Sequence, residues 1–167
     1  MPRVREDKAL GIALRRVRDA PLRLGLEDTL IDLVIAAEAL FLTDAGKAED
    51  RGELTYRLAL RAAVFINDPP PRRGQVLRFF RGAYRARSAV VHGSQPTRLR
   101  ALDGSIATVA DVVADLERLM RLALHQAVVI LAGPHASTMY EWDGLITRTI
   151  DPTATVEADA PGPARAG

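Results

Sequence analysis

The chain has 167 residues, 48% of them apolar, and sets 23 Lys+Arg against 21 Asp+Glu for a formal net charge of +2. That length suits one domain with a core that needs no covalent staple. The absence of cysteine excludes disulfides, thiolate zinc sites and a cysteine nucleophile, the scatter of His92, His125 and His135 argues against a multi-histidine metal site, and 5% aromatic content leaves few base-stacking platforms.

The N-terminal residues Met1 to Lys8 mix charges of both signs and lead into no apolar run, so they do not read as a signal peptide. A first helix is expected over Arg5 to Ala20, stopping at Pro21. A second is expected over Leu26 to Leu42, with Glu27 and Asp28 in the first turn, where carboxylates suit the helix dipole. Its apolar residues fill two stripes, which places it at the centre of a bundle, and Glu38 falls where the second stripe calls for a core residue. Asp32 and Glu38 also break the longest apolar stretch, so no membrane span is expected and the cytoplasm is the expected location.

Thr43 to Gly52 reads as a polar loop, and Glu53 to Ile66 as a third helix with Leu54, Leu58, Arg61 and Phe65 on one face. Asn67-Asp68-Pro69-Pro70-Pro71 is a hard break. A fourth helix over Arg72 to Val91 ends near Gly93 and carries the stripe Val76, Phe80, Ala83, Arg87, Val90. Thr108 and Asp111 fit a capping box for a fifth helix over Val109 to Leu131, which Gly133-Pro134 closes. Tyr140 to Ile150 suits a short helix or a strand. Residues 1–150 are thus expected to form one all-α bundle of four to five helices. Residues 151–167, rich in Pro, Ala and Gly, are expected to be a disordered tail.

Charge is unevenly spread. Pro69 to Leu102 contains eight arginines and no acid, so the segment is +8, while the remainder carries 15 basic against 21 acidic side chains, or −6. A one-sign field of this kind attracts phosphate backbones, although a charge run is as often only a solvated face. Within it, Arg87-Ser88-Ala89-Val90-Val91-His92-Gly93 sets two polar residues, Ser88 and His92, on one face with Tyr84, and Arg87 on the core-directed stripe. Histidine moves protons near neutral pH, and an arginine stabilises charge developing on a phosphate. With the 2′-hydroxyl of RNA as internal nucleophile, that set supplies acid, base and anion stabiliser without a metal or other cofactor.

Arg87 to Gly93 resembles the R-x4–6-H signature of the HEPN superfamily. Together with Leu30 to Phe41 (LIDLVIAAEALF) and Glu53 to Ala63 (ELTYRLALRAA), it is similar to the Apea-like HEPN branch in order and approximate spacing, over about Leu26 to Leu131. The resemblance implies a helical bundle that dimerises and brings two R-x4–6-H segments into one RNA-cutting cleft. It would make His92 the general acid/base and Arg87 the contact to the scissile phosphate, with Ser88 orienting one of them. Arg87 and His92 lie about 140° apart on an ideal helix, so one protomer's pair need not converge alone. Arg78, Arg81 and Arg85 would guide RNA. Glu38 would pair with Arg87 or another arginine, such as Arg57 or Arg61, and so orient the site, and Tyr84 would pack beside it. Family members serve in phage defence or toxin–antitoxin systems, which implies an antitoxin or regulatory protein in trans. Other members are non-catalytic modules that bind RNA, a nucleotide or a protein partner. Tyr56 is expected to pack, His125 to face solvent, and Tyr140 and Trp142 to cover a bundle edge or a subunit contact.

Overall fold

The computed structural model describes residues 2–43, 51–66, 73–134 and 136–150. The calls on the tail after Asp151, on most of the Thr43 to Gly52 loop, on the Asn67 to Pro71 break and on His135 lie outside them. The described chain is an all-α bundle. Five helices carry it: α2 (Lys8–Asp19), α3 (Leu26–Phe41), α4 (Arg51–Phe65), α5 (Arg73–Val91) and α6 (Val109–Ala132). Two short ones flank them, α1 (Pro2–Glu6) and α7 (Trp142–Ile150). No helix among the described residues is long and apolar enough to cross a membrane.

The expected first helix is divided. Asp7 adopts extended backbone, and its carboxylate accepts from the Leu10 N–H at 2.8 Å, which starts α2 afresh. The same oxygen accepts from the Tyr140 hydroxyl at 2.8 Å, so this break also anchors the segment before α7. Pro21 does not end the chain's winding at once, because Ala20–Leu22 form one 3-10 turn in which a missing N–H costs nothing. The capping box of α6 is present: the Thr108 hydroxyl accepts from the Asp111 N–H, and Asp111 accepts from the Thr108 N–H at 2.8 Å. The Thr108 N–H first, and the Thr108 hydroxyl, which also donates to the carboxylate at 2.7 Å, hold the Asp111 carboxyl below the usual range. The open choice at the C-terminal end resolves as helix.

α3 runs through the centre and touches α2, α4, α5 and α6. Leu30, Leu33, Ala36, Ala37, Leu40 and Phe41 are fully buried, as two apolar stripes on one helix require. Around its C-terminal end Phe41 meets Phe65, Phe80 and Trp142 edge-on at centroid distances of 5.9, 6.1 and 5.9 Å. Trp142, expected at an edge or a contact between subunits, is 3% exposed and belongs to the core. Arg61 is buried beside it, donating to the Phe41 carbonyl at 2.8 Å with its guanidinium 5.2 Å from the indole centroid. It thus satisfies one of the carbonyls that a helix C-terminus leaves open. Tyr56 departs from expectation the other way, at 49% exposed.

α5 packs on α3 and α4 through Val76, Phe79, Phe80, Ala83 and Ala86. Arg87, on the expected core stripe, is only half-buried, because the stripe reaches the bundle's rim there. Beyond Val91 the chain leaves the helix and forms a small loop that returns under α5. Its only sheet-like element among the described residues is an isolated antiparallel bridge between Arg100 and Ile106. The Leu102 N–H donates to Asp115 at 2.8 Å and ties the loop to α6.

Candidate functional site

The end of α5 is built by its closing turn. Gly93 has φ +73°, a conformation that a side chain makes costly. The Ser94 N–H then reaches the Ala89 carbonyl at 2.9 Å, and the Gly93 N–H the Val90 carbonyl at 2.9 Å. These two bonds form a Schellman motif, which terminates the helix one residue after His92. His92 is therefore held at the C-terminal tip, exposed to solvent.

Arg87, one and a half turns earlier, is anchored from another element. Its Nη2 lies 3.9 Å from Oε2 of Glu38 on α3, with the two side chains 27% and 26% exposed. That distance permits an ion pair and is too long for a hydrogen bond. The Nε of Arg87 is buried and has no hydrogen-bond partner. A buried donor left unmade costs about 1–3 kcal/mol, and such orphans in native proteins call for an explanation such as a catalytic or ligand role.

Of the residues singled out in the sequence, Arg87 and Glu38 meet across two helices. Ser88 and Tyr84 are half-buried on α5, and Tyr84 packs against the core. His92 does not share Arg87's side of the helix, in keeping with the 140° that separates them on an ideal helix. Arg78 and Arg85 do not flank Arg87 either. They line a cavity of about 600 Å³ between α5 and the loop of residues 95–104, while Arg81 lies outside it. Arg98 and Arg100 of that loop complete its basic lining. Sequence reading counted these two in the +8 segment without assigning them a place, since nothing local shows that the loop folds back. His125 faces solvent, as expected.

One buried carboxylate was passed over. Asp32, almost fully buried on α3, accepts from Arg16 and from Arg23, each at 2.6 Å. Its signal was the same as that of Glu38, an acid within an apolar helix. Among the described residues no three His, Cys, Asp or Glu side chains group as metal ligands do. No family model, curated protein or solved structure matches the chain.

Proposed function

We propose that the chain is a metal-independent endoribonuclease of the HEPN type, similar to the Apea-like branch, acting as a homodimer in the cytoplasm. The observation that carries this reading is Arg87: a guanidinium fixed against Glu38, with one buried donor unpaired, at the helix end that also presents His92. An incoming phosphate oxygen can pair with the exposed part of the guanidinium, which the 3.9 Å contact to Glu38 leaves unsaturated.

In this reaction the imidazole of one His92 takes the proton of the 2′-hydroxyl, and O2′ attacks the adjoining phosphorus. The bond to O5′ breaks as the second protomer's His92 delivers a proton to it, leaving a 2′,3′-cyclic phosphate and a free 5′-hydroxyl. Arg87 stabilises the extra negative charge on the phosphoryl oxygens. Glu38 is a positioning residue that restricts the guanidinium without saturating it, and Ser88 orients its neighbours. Val91, half-exposed beside His92, offers an apolar contact to the second copy. Such an activity needs restraint in the cell, which fits an antitoxin or regulatory protein in trans and a role in defence. The arginine-lined cavity favours, as second reading, a module that binds RNA without cutting it.

The test is cleavage of single-stranded RNA in EDTA. Wild type is expected to cut, and His92→Ala to lower the rate by about 100-fold or more, the span of general acid–base catalysis. Arg87→Ala is expected to lose about as much, and Glu38→Gln less. The reading falls when wild type leaves RNA intact or the variants cut as fast.

A further inference from the structure

The cavity between α5 and the returning loop has two chemistries in one place. Arg78 and Arg85 on the helix and Arg98 and Arg100 on the loop surround it. Among the described residues none of the four has a carboxylate partner, and the one polar contact of Arg100 is a long one, 3.5 Å to the Gly104 carbonyl. Four solvent-exposed guanidinium groups around a concave site give it a positive potential, which salt screens. The floor is apolar, formed by Phe79, Leu102 and Val112. A rim of charge over such a floor suits a ligand that joins phosphate to a flat, weakly polar body.

Two backbone features support a built site. Gly82 lies in the middle of α5 and in the cavity wall, and a Cβ placed there meets nothing within 4 Å. Glycine inside a helix is unfavourable, and no tight packing requires it here, so the free space above it calls for another cause. Arg98 holds φ +55°, a left-handed conformation rare for residues with a side chain. Ala89 and Gln95, which line the cavity, bracket His92 in the chain. On an ideal helix the cavity-lining residues of α5 face closer to His92 than to Arg87.

We infer that this cavity is a subsite for one unstacked nucleotide of a single RNA strand, its phosphates on the arginine rim and its base over the apolar floor. About 600 Å³ admits one such unit and excludes a duplex. As a substrate subsite it rests on the nuclease reading. It sets which nucleotide lies beside the scissile bond.

The experiment measures binding of a short fluorescent single-stranded RNA in EDTA by the full chain carrying His92→Ala, so that nothing is cut. Adding Gly82→Leu, which fills the cavity without changing charge, is expected to weaken binding at least about tenfold while the thermal melt is kept. Adding Arg98→Gln with Arg100→Gln is expected to weaken it as much and to lower the slope of log affinity against log salt by about 1.4, two single-strand phosphate contacts. Arg15→Gln on α2 serves as control and stays within twofold. Binding within twofold of the parent for Gly82→Leu overturns the inference even if the arginine variant is weak, since RNA then crosses the surface outside the cavity. Tight ATP binding abolished by Gly82→Leu, with RNA affinity unchanged, also overturns it in favour of a free nucleotide. Cleavage by the otherwise wild-type chain that Gly82→Leu leaves unaltered sinks the subsite and spares the nuclease. RNA held in the cavity but never cut does the reverse.

Discussion

Gly93 shows how much of the site depends on a single backbone conformation. Its φ of +73° lets two N–H groups close the helix, and the closure fixes where His92 stands. Nothing lies within 4 Å of a Cβ added there, so Gly93→Ala meets no steric neighbour and suffers only the left-handed penalty. The expected loss is about 1–2 kcal/mol, read as a lowered melting temperature and urea midpoint. RNA cleavage should fall as well at temperatures where the variant is still folded, because His92 is displaced. An unchanged midpoint would show that the turn carries no strain at this residue. The R-x4-H spacing, the terminating glycine and the odd carboxylate Glu38 were all legible because each is a local signal. Whether Glu38 took Arg87 or another partner was not, since two helices 49 positions apart must first be packed. Trp142 and Tyr56 were misjudged for a related reason: ring type alone does not say which side of a closed bundle a residue reaches.

At the scale of elements, the order of the five long helices and most of their boundaries followed from apolar periodicity. The exceptions have physical causes. Asp7 splits the first helix because its carboxylate gains both an N-cap bond and the Tyr140 hydroxyl, a partner 133 residues away. Burial, with Asp7 beside it, raises the Tyr140 hydroxyl's pKa, so this bond persists through the physiological range. The returning loop after α5 has too few residues for any periodicity and escaped notice. The joint between α2 and α3 rests on Asp32, whose two oxygens each take one arginine at 2.6 Å. Both arginines are nearly half-exposed, so either one rehydrates when its partner is lost, whereas the carboxylate is buried and stays paired by the other. Asp32→Ala should therefore cost more than either arginine alone, about 2–3 kcal/mol against a smaller loss for Arg16→Ala or Arg23→Ala. Chemical denaturation of the three variants measures this. Equal losses would mean that the two arginines act as one unit.

At the scale of the whole molecule, the small net charge hides a division of labour that the fold makes physical. The +8 segment supplies α5 and the returning loop, so four of its eight arginines line the cavity, whereas Arg87 of the same segment turns to Glu38. One chain thus presents His92 and the cavity on one side of a helix and the Arg87 guanidinium on another. In the proposed dimer, a second copy related by a two-fold axis would bring an Arg87 to the partner's His92. A composite site implies more than dimerisation itself. Arg87→Ala and His92→Ala chains are each expected to be inactive. Refolded together in equal amounts, they form mixed dimers in about half of the population, and each mixed dimer holds one intact arginine on one chain and one intact histidine on the other. If the working pair spans the interface, RNA cleavage should return above the level of either variant alone but well below wild type, because one His92 remains and water must make the second proton transfer. If the pair works within one chain, no mixed dimer holds both residues on the same protomer, and the mixture stays as inactive as its components. Light scattering on the same samples shows whether dimers formed, so a silent mixture of true dimers rejects a cross-interface pair that works with a single His92, and a strictly monomeric protein rejects the composite site outright.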